Sequence, residues 1–216
     1  ISVIPNFVDV EEMRPLPRDP AMAARFGWTG KFGIMHGGNI GFAYDFDSML
    51  AAAARLQSHP RILFVIMGAG VRKTELEQRA QQAGLTNVQF LPYQPAADLP
   101  QVRGCSDVQL SLYRRGSSAS SLPSKLYEIM ACGCAVLASS EPESEVTRLI
   151  DTANAGIVIE PENVDALVDA IVRLEGDAEA RARLGRSGRA YVLAHHSDAS
   201  AIEAYEECLL RVTHRH

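Results

Sequence analysis

The sequence predicts an α/β fold: an open, mostly parallel sheet with helices on both faces. Two observations carry this. Short, near-continuous apolar runs, as buried parallel strands need, alternate with amphipathic segments along most of the 216 residues. Glycine- or serine-rich turns follow the carboxyl ends of three of those runs, at GGNIG, GAG and the loop before SKLYE, where ligands of such sheets bind.

In chain order, residues 1–9 (ISVIPNFVD) read as a short strand entering a Pro-Asn turn, and 11–20, with three prolines, as a surface linker. A strand over 32–36 ends in the turn Gly37-Gly38-Asn39-Ile40-Gly41, and Asp47 is expected to cap a helix reaching about residue 57. Residues 62–67 form a strand that Gly68-Ala69-Gly70 turns into a helix over 71–83, stopped at Gly84. Then come a strand at 88–91, a short proline-punctuated helix before Arg103, and a strand at 108–112. The loop 113–121 leads to a helix that opens at Pro123-Ser124 and closes at Gly133, with Leu126, Ile129 and Met130 at helical spacing. Ala135 to Ala138 is a buried strand; a helix at 143–151, a strand at 156–159, a helix at 164–174 and further helices to 199–212 complete the chain.

With 47% hydrophobic and 22% charged residues, the composition is that of a globular chain long enough for one large core. A net charge of −5 argues against a bulk nucleic-acid binder, although Arg114-Arg115 remains compatible with a phosphate. Cys105, Cys132, Cys134 and Cys208 follow no disulfide framework and read as reduced thiols of a cytosolic protein. No apolar run reaches membrane-span length and no signal peptide is visible; the start at Ile-Ser suggests a piece of something longer.

The stretch LPSKLYEIMACGCAVLA carries the main site expectation. A helix entered from a strand-end loop offers N–H groups and the positive end of its dipole to an anion, and Lys125 adds a full charge. Glu128 lies one turn on, so a cation for phosphate stands beside a carboxylate for vicinal hydroxyls. An exposed Lys125–Glu128 ion pair is the alternative, worth only a few tenths of a kcal/mol. GGNIG lets backbone approach a phosphate or sugar, but it is not GxGxxG and no acidic residue ends the next strand, which disfavours NAD. Asp45-Phe46-Asp47 reads as a helix start rather than a metal motif, His36 as equally a core histidine, and His195-His196 as surface residues. No nucleophilic triad stands out.

These residues carry a family resemblance. VIPNFVD, FGIMHGGNIG, VIMGAG, LTNVQFLPY, CSDVQLSLY and LPSKLYEIMACGCAVLAS follow the order and spacing of the C-terminal, donor-binding half of a GT-B glycosyltransferase of the group I (family 4) type. The resemblance implies a Rossmann-like three-layer α/β/α domain over 21–216, with 1–20 as interdomain strand and linker. YEIMACGCAV resembles the second half of the family's E-x7-E signature, which puts Glu128 at its second glutamate and Ser120 at its first. The family's phosphate-binding arginine and lysine fall at Asn39 and Tyr44, so both cations are missing there. PSKLYE and GNIG are similar to bacterial surface-polysaccharide, N-acetyl-fucosamine-type transferases.

The resemblance implies sugar transfer from a nucleotide sugar, UDP-linked in expectation, with retention of configuration and no obligatory metal. Lys125 and Glu128 become the catalytic pair, Lys125, with Arg115, replacing the missing cations and Glu128 taking the ribose hydroxyls. Gly38, Asn39, Gly68, Gly70, Ser120, Ser121, Leu122 and Ser124 are expected to contact the donor, and Tyr93 the base. The expected partners are the nucleotide sugar, an N-terminal domain outside this chain and a membrane-associated lipid-linked acceptor, with no nucleic acid. The expected location is the cytoplasm or the inner membrane face, and the isolated piece is expected to be inactive. A non-catalytic nucleotide-binding module and half of a UDP-sugar epimerase are the alternatives.

Overall fold

The computed structural model describes residues 4–118 and 124–213. Among them, six strands form one all-parallel sheet in the order β3-β2-β1-β4-β5-β6. The strands are β1 (Phe32–Asn39), β2 (Ile62–Ala69), β3 (Val88–Leu91), β4 (Val108–Leu112), β5 (Ala135–Ser139) and β6 (Gly156–Ile159). The helices are α1 (Pro20–Phe26), α2 (Phe46–Arg55), α3 (Lys73–Gln82), α4 (Leu99–Gly104), α5 (Lys125–Ala131), α6 (Glu145–Ala153), α7 (Val164–Gly176), α8 (Ala178–His195) and α9 (Asp198–Thr213). The order is the Rossmann-like one, which reverses between β1 and β4.

Strand side chains alternate between two buried layers. Ile34, Phe64, Ile66, Leu110 and Leu137 point into a core with Phe46 and Leu50 of α2 and Leu167 and Ile171 of α7. On the opposite face, Val136 and Ala138 meet Leu126, Ile129 and Met130 of α5 and Val192 of α8. Met35 and Val65 meet Trp28 and Val102 there.

Several sequence expectations change. The glycine run GGN does not turn: Gly37, Gly38 and Asn39 remain paired with Met67, Gly68 and Ala69, so β1 and β2 both run past their expected ends. Asp45, not Asp47, caps α2, its Oδ1 accepting from Ser48 N at 3.0 Å. Of the expected first strand, residues 1–3 lie outside the described residues; among residues 4–9, Val8 forms an isolated bridge to Ser197 and its N–H donates to His196 O at 2.9 Å, which sets it against the α8–α9 junction rather than in the sheet. Helix α1 was not foreseen, although its signals are in the sequence: Asp19 caps Ala21 N and Met22 N, Pro20 opens the first turn, and Gly27 closes it with φ +75°.

Candidate active site

The strand order reverses between β1 and β4, the topological switch point at which sheets of this kind have their ligand crevice, outside the strands' carboxyl ends. Gly38 and Asn39 end β1, Tyr44 follows in the next loop, and Tyr113 and Arg114 follow β4. The β4 loop is tied to its neighbours. Arg114 N donates to Ala43 O at 3.0 Å, Tyr44 bridges Tyr113, and Glu141 accepts from Gly116 N and the Ser118 hydroxyl.

Lys125, the first residue of α5, reaches over the Tyr44 ring at this switch point. Its Nζ is buried, has no hydrogen-bond partner among the described residues, and lies 3.8 Å from the centroid of the Tyr44 ring. Its Cδ would stand 3.8 Å from a Cβ placed on Gly38, so that glycine faces the lysine stem. Burial, and then the Arg103 guanidinium, push the ammonium down to about 7, while Glu128 opposes them. His36 is buried against Tyr44 and Phe46, with ring centroids 4.9 and 4.8 Å away; burial, with the Lys125 charge second, holds it well below the usual histidine range. A neutral imidazole therefore sits in the same aromatic wall as the ammonium.

Glu128 does not pair with Lys125. Its Oε2 accepts from Nη2 of Arg103 at 2.5 Å, and the arginine side chain is only 6% exposed against 31% for the glutamate. Arg103 belongs to α4, 25 residues away in sequence, and no local pattern announces the contact. The structure brings Lys125 to Gly38, sets Glu128 one turn on against Arg103, and leaves Ser124 exposed, without a capping bond from its side chain. Ser120, Ser121 and Leu122 lie outside the described residues.

Other expected contacts are already engaged. Arg115 turns toward the β6 side, with Nη2 3.1 Å from Glu160 Oε1 and from Pro161 O. Cβ atoms on Gly68 and Gly70 would strike the carbonyl oxygens of Gly38 and Ile40, so backbone packing alone accounts for both glycines. Tyr93 is exposed after β3 and close enough to Tyr44 to act on it electrostatically. Asp47 holds three arginines, Arg72 at 3.2 Å and Arg79 and Arg114 at 2.5 Å, which fixes Arg114 on the rim of the crevice. Burial opposes ionisation of Asp47, but the three guanidiniums outweigh it and hold the carboxyl well below the usual range. Among the described residues, no group of three or more His, Cys, Asp or Glu side chains is arranged to hold a metal ion. Among the described residues, no helix is long and apolar enough to cross a membrane.

Residues 27–191 match the family model described as glycosyl transferases group 1. The chain belongs to the glycosyl transferases of group 1. It is 38% identical over 139 residues to WcaI of Escherichia coli (strain K12), named as a colanic acid biosynthesis glycosyl transferase, covering 64% of this chain and 34% of WcaI. It is 25% identical over 210 residues to WbjE of Pseudomonas aeruginosa, named as a glycosyltransferase, covering 95% of this chain and 51% of WbjE. The chain thus spans between about a third and a half of the length of these relatives. The fold is similar to that of HepE from Anabaena in complex with UDP (TM-score 0.81, 18% identity, 98% of this chain and 57% of HepE). It is also similar to the C-terminal domain of the group 1 protein LpcC from Francisella tularensis (TM-score 0.73, 23% identity, 88% of this chain and 99% of that one). The group 1 chain therefore has the Rossmann-like fold of these glycosyltransferase structures, and 88% of it matches nearly the whole of that isolated C-terminal domain in fold.

Proposed function

We propose that this chain is the donor-binding half of a retaining glycosyltransferase that takes a nucleotide sugar, UDP-linked, and passes the sugar to a polysaccharide or lipid-linked acceptor held by an N-terminal half. The observation that carries the reading is the buried ammonium of Lys125 at the topological switch point, which has no hydrogen-bond partner among the described residues. An unpaired cation is costly in such a place unless an anion joins it. Charge developing on a leaving diphosphate would be stabilised there by the Lys125 ammonium and by close approach of the Gly38 backbone, in a crevice the second half would shield from water. Glu128 would accept from the ribose hydroxyls. Lys125 stands over the ring of Tyr44, the position at which the family resemblance leaves a cation missing, so it can supply that charge from a different element. HepE, a relative in fold, binds UDP. The reading places the reaction on the cytoplasmic side, at the membrane face if the acceptor is lipid-linked.

Calorimetric titration of the chain with UDP, GDP and ADP tests the reading. Selective UDP binding that weakens in Lys125→Ala and in Glu128→Ala supports it. UDP affinity unchanged in both variants would refute it.

A further inference from the structure

We infer that Arg103 is a positioning residue that keeps Lys125 free for the donor diphosphate by holding Glu128 away from it. The inference rests on the donor-site reading of Lys125. Residues three apart on a helix are neighbours, with Cβ atoms about 5–6 Å apart, so Lys125 and Glu128 are placed to close on each other. They do not. Glu128 Oε2 is held 2.5 Å from Arg103 Nη2, and Lys125 Nζ is left without a hydrogen-bond partner among the described residues.

The guanidinium donates from Nη2 to Glu128, while its Nη1 is buried without a hydrogen-bond partner among the described residues. The Arg103 side chain is buried to 6% exposure at the end of α4, and its backbone carbonyl accepts from Ser106 Oγ at 2.8 Å and Cys134 Sγ at 3.7 Å. A planar, permanently charged guanidinium competes well for a carboxylate against a flexible ammonium. Its positive charge also acts on Lys125 directly and disfavours a second cation close by. A diphosphate entering the crevice would relieve that repulsion, whereas Glu128 in the same position would block it. Without Arg103, the glutamate turns to Lys125, and the ammonium that should meet the diphosphate is neutralised by its own helix.

The test is calorimetry of this chain with inorganic pyrophosphate at several salt concentrations, which reads the phosphate subsite without the ribose. Arg103→Met is expected to weaken pyrophosphate about tenfold and to flatten the salt dependence. Arg103→Lys, which retains a cation for Glu128, should recover most of the affinity. Adding Glu128→Gln to Arg103→Met should return affinity to within about twofold of the parent, because no carboxylate remains to take the ammonium. A general loss of structure would not be rescued in this way. If Arg103→Met does not fold, Arg103→Gln carries the same comparison. Unchanged affinity in the single variant, or a double variant as weak as the single one, overturns the inference. In those outcomes the donor-site reading survives if Lys125→Ala still weakens pyrophosphate. If Lys125→Ala has no effect, the donor-site reading falls and the inference with it.

Discussion

Raising the pH should weaken donor binding through Lys125 alone. The buried ammonium is pushed down to about 7, first by burial and then by Arg103. At pH 7 such a lysine is about half charged, and at pH 8.5 only ~3% charged. If the diphosphate binds the charged form and holds its pKa above the assay range, affinity should fall about fifteenfold between pH 7.0 and 8.5. Between pH 6.0 and 7.0 it should change by less than about twofold. The right probe is a UDP-sugar rather than UDP, because its two phosphates carry no group that titrates in this window. Calorimetry in buffers of different ionisation enthalpy should record close to one proton taken up per ligand at pH 8. Lys125→Arg keeps its charge throughout and should give a flat profile, while Lys125→Met should bind weakly at every pH. A flat profile in the parent chain, or the same slope in Lys125→Met, would refute the argument.

Three further outcomes follow from the same geometry. The unfolded chain holds a proton on Lys125 up to the ordinary lysine range while the folded chain releases it near 7, so this group's cost to stability should diminish from pH 7 upward; thermal melts should show Lys125→Met raising Tm most at pH 6 and least at pH 9. Asp47 gains stability from three guanidiniums that is present above the unfolded carboxylate pKa and lost as pH falls toward its depressed folded value. Discounted for its partial exposure, Asp47→Asn should cost about 1 kcal/mol in urea unfolding at pH 7 and a smaller amount at pH 3, the remainder being lost as pH falls further. Gly68→Ala drives a methyl into the Gly38 carbonyl at φ +147°, so chemical denaturation should show a loss of about 2–4 kcal/mol, with weaker UDP binding in whatever remains folded.

The sequence by itself determined the layered α/β fold. The apolar runs of β2 and β5 can be satisfied only between two helix layers, and the glycine and serine segments after β1, β2 and β4 mark the carboxyl edge. Local chemistry, at most one helical turn in reach, also made Lys125 and Glu128 stand out and showed the cap of α1 to anyone reading Asp19-Pro20 to Gly27. Tertiary structure decided whom those side chains meet. Pairing with β2 kept Gly37, Gly38 and Asn39 in the sheet instead of in a turn, because a strand end is fixed by its neighbour as much as by its own residues. Asp47, readable only as a capping residue, became the anchor of arginines 25, 32 and 67 positions away. Arg103, a boundary marker in the linear chain, took Glu128 from Lys125. The physical reason is the same in each case. Periodicity and capping act within a turn or a strand, whereas the partner of a buried charge is set by whichever distant element the packed sheet brings within hydrogen-bond reach.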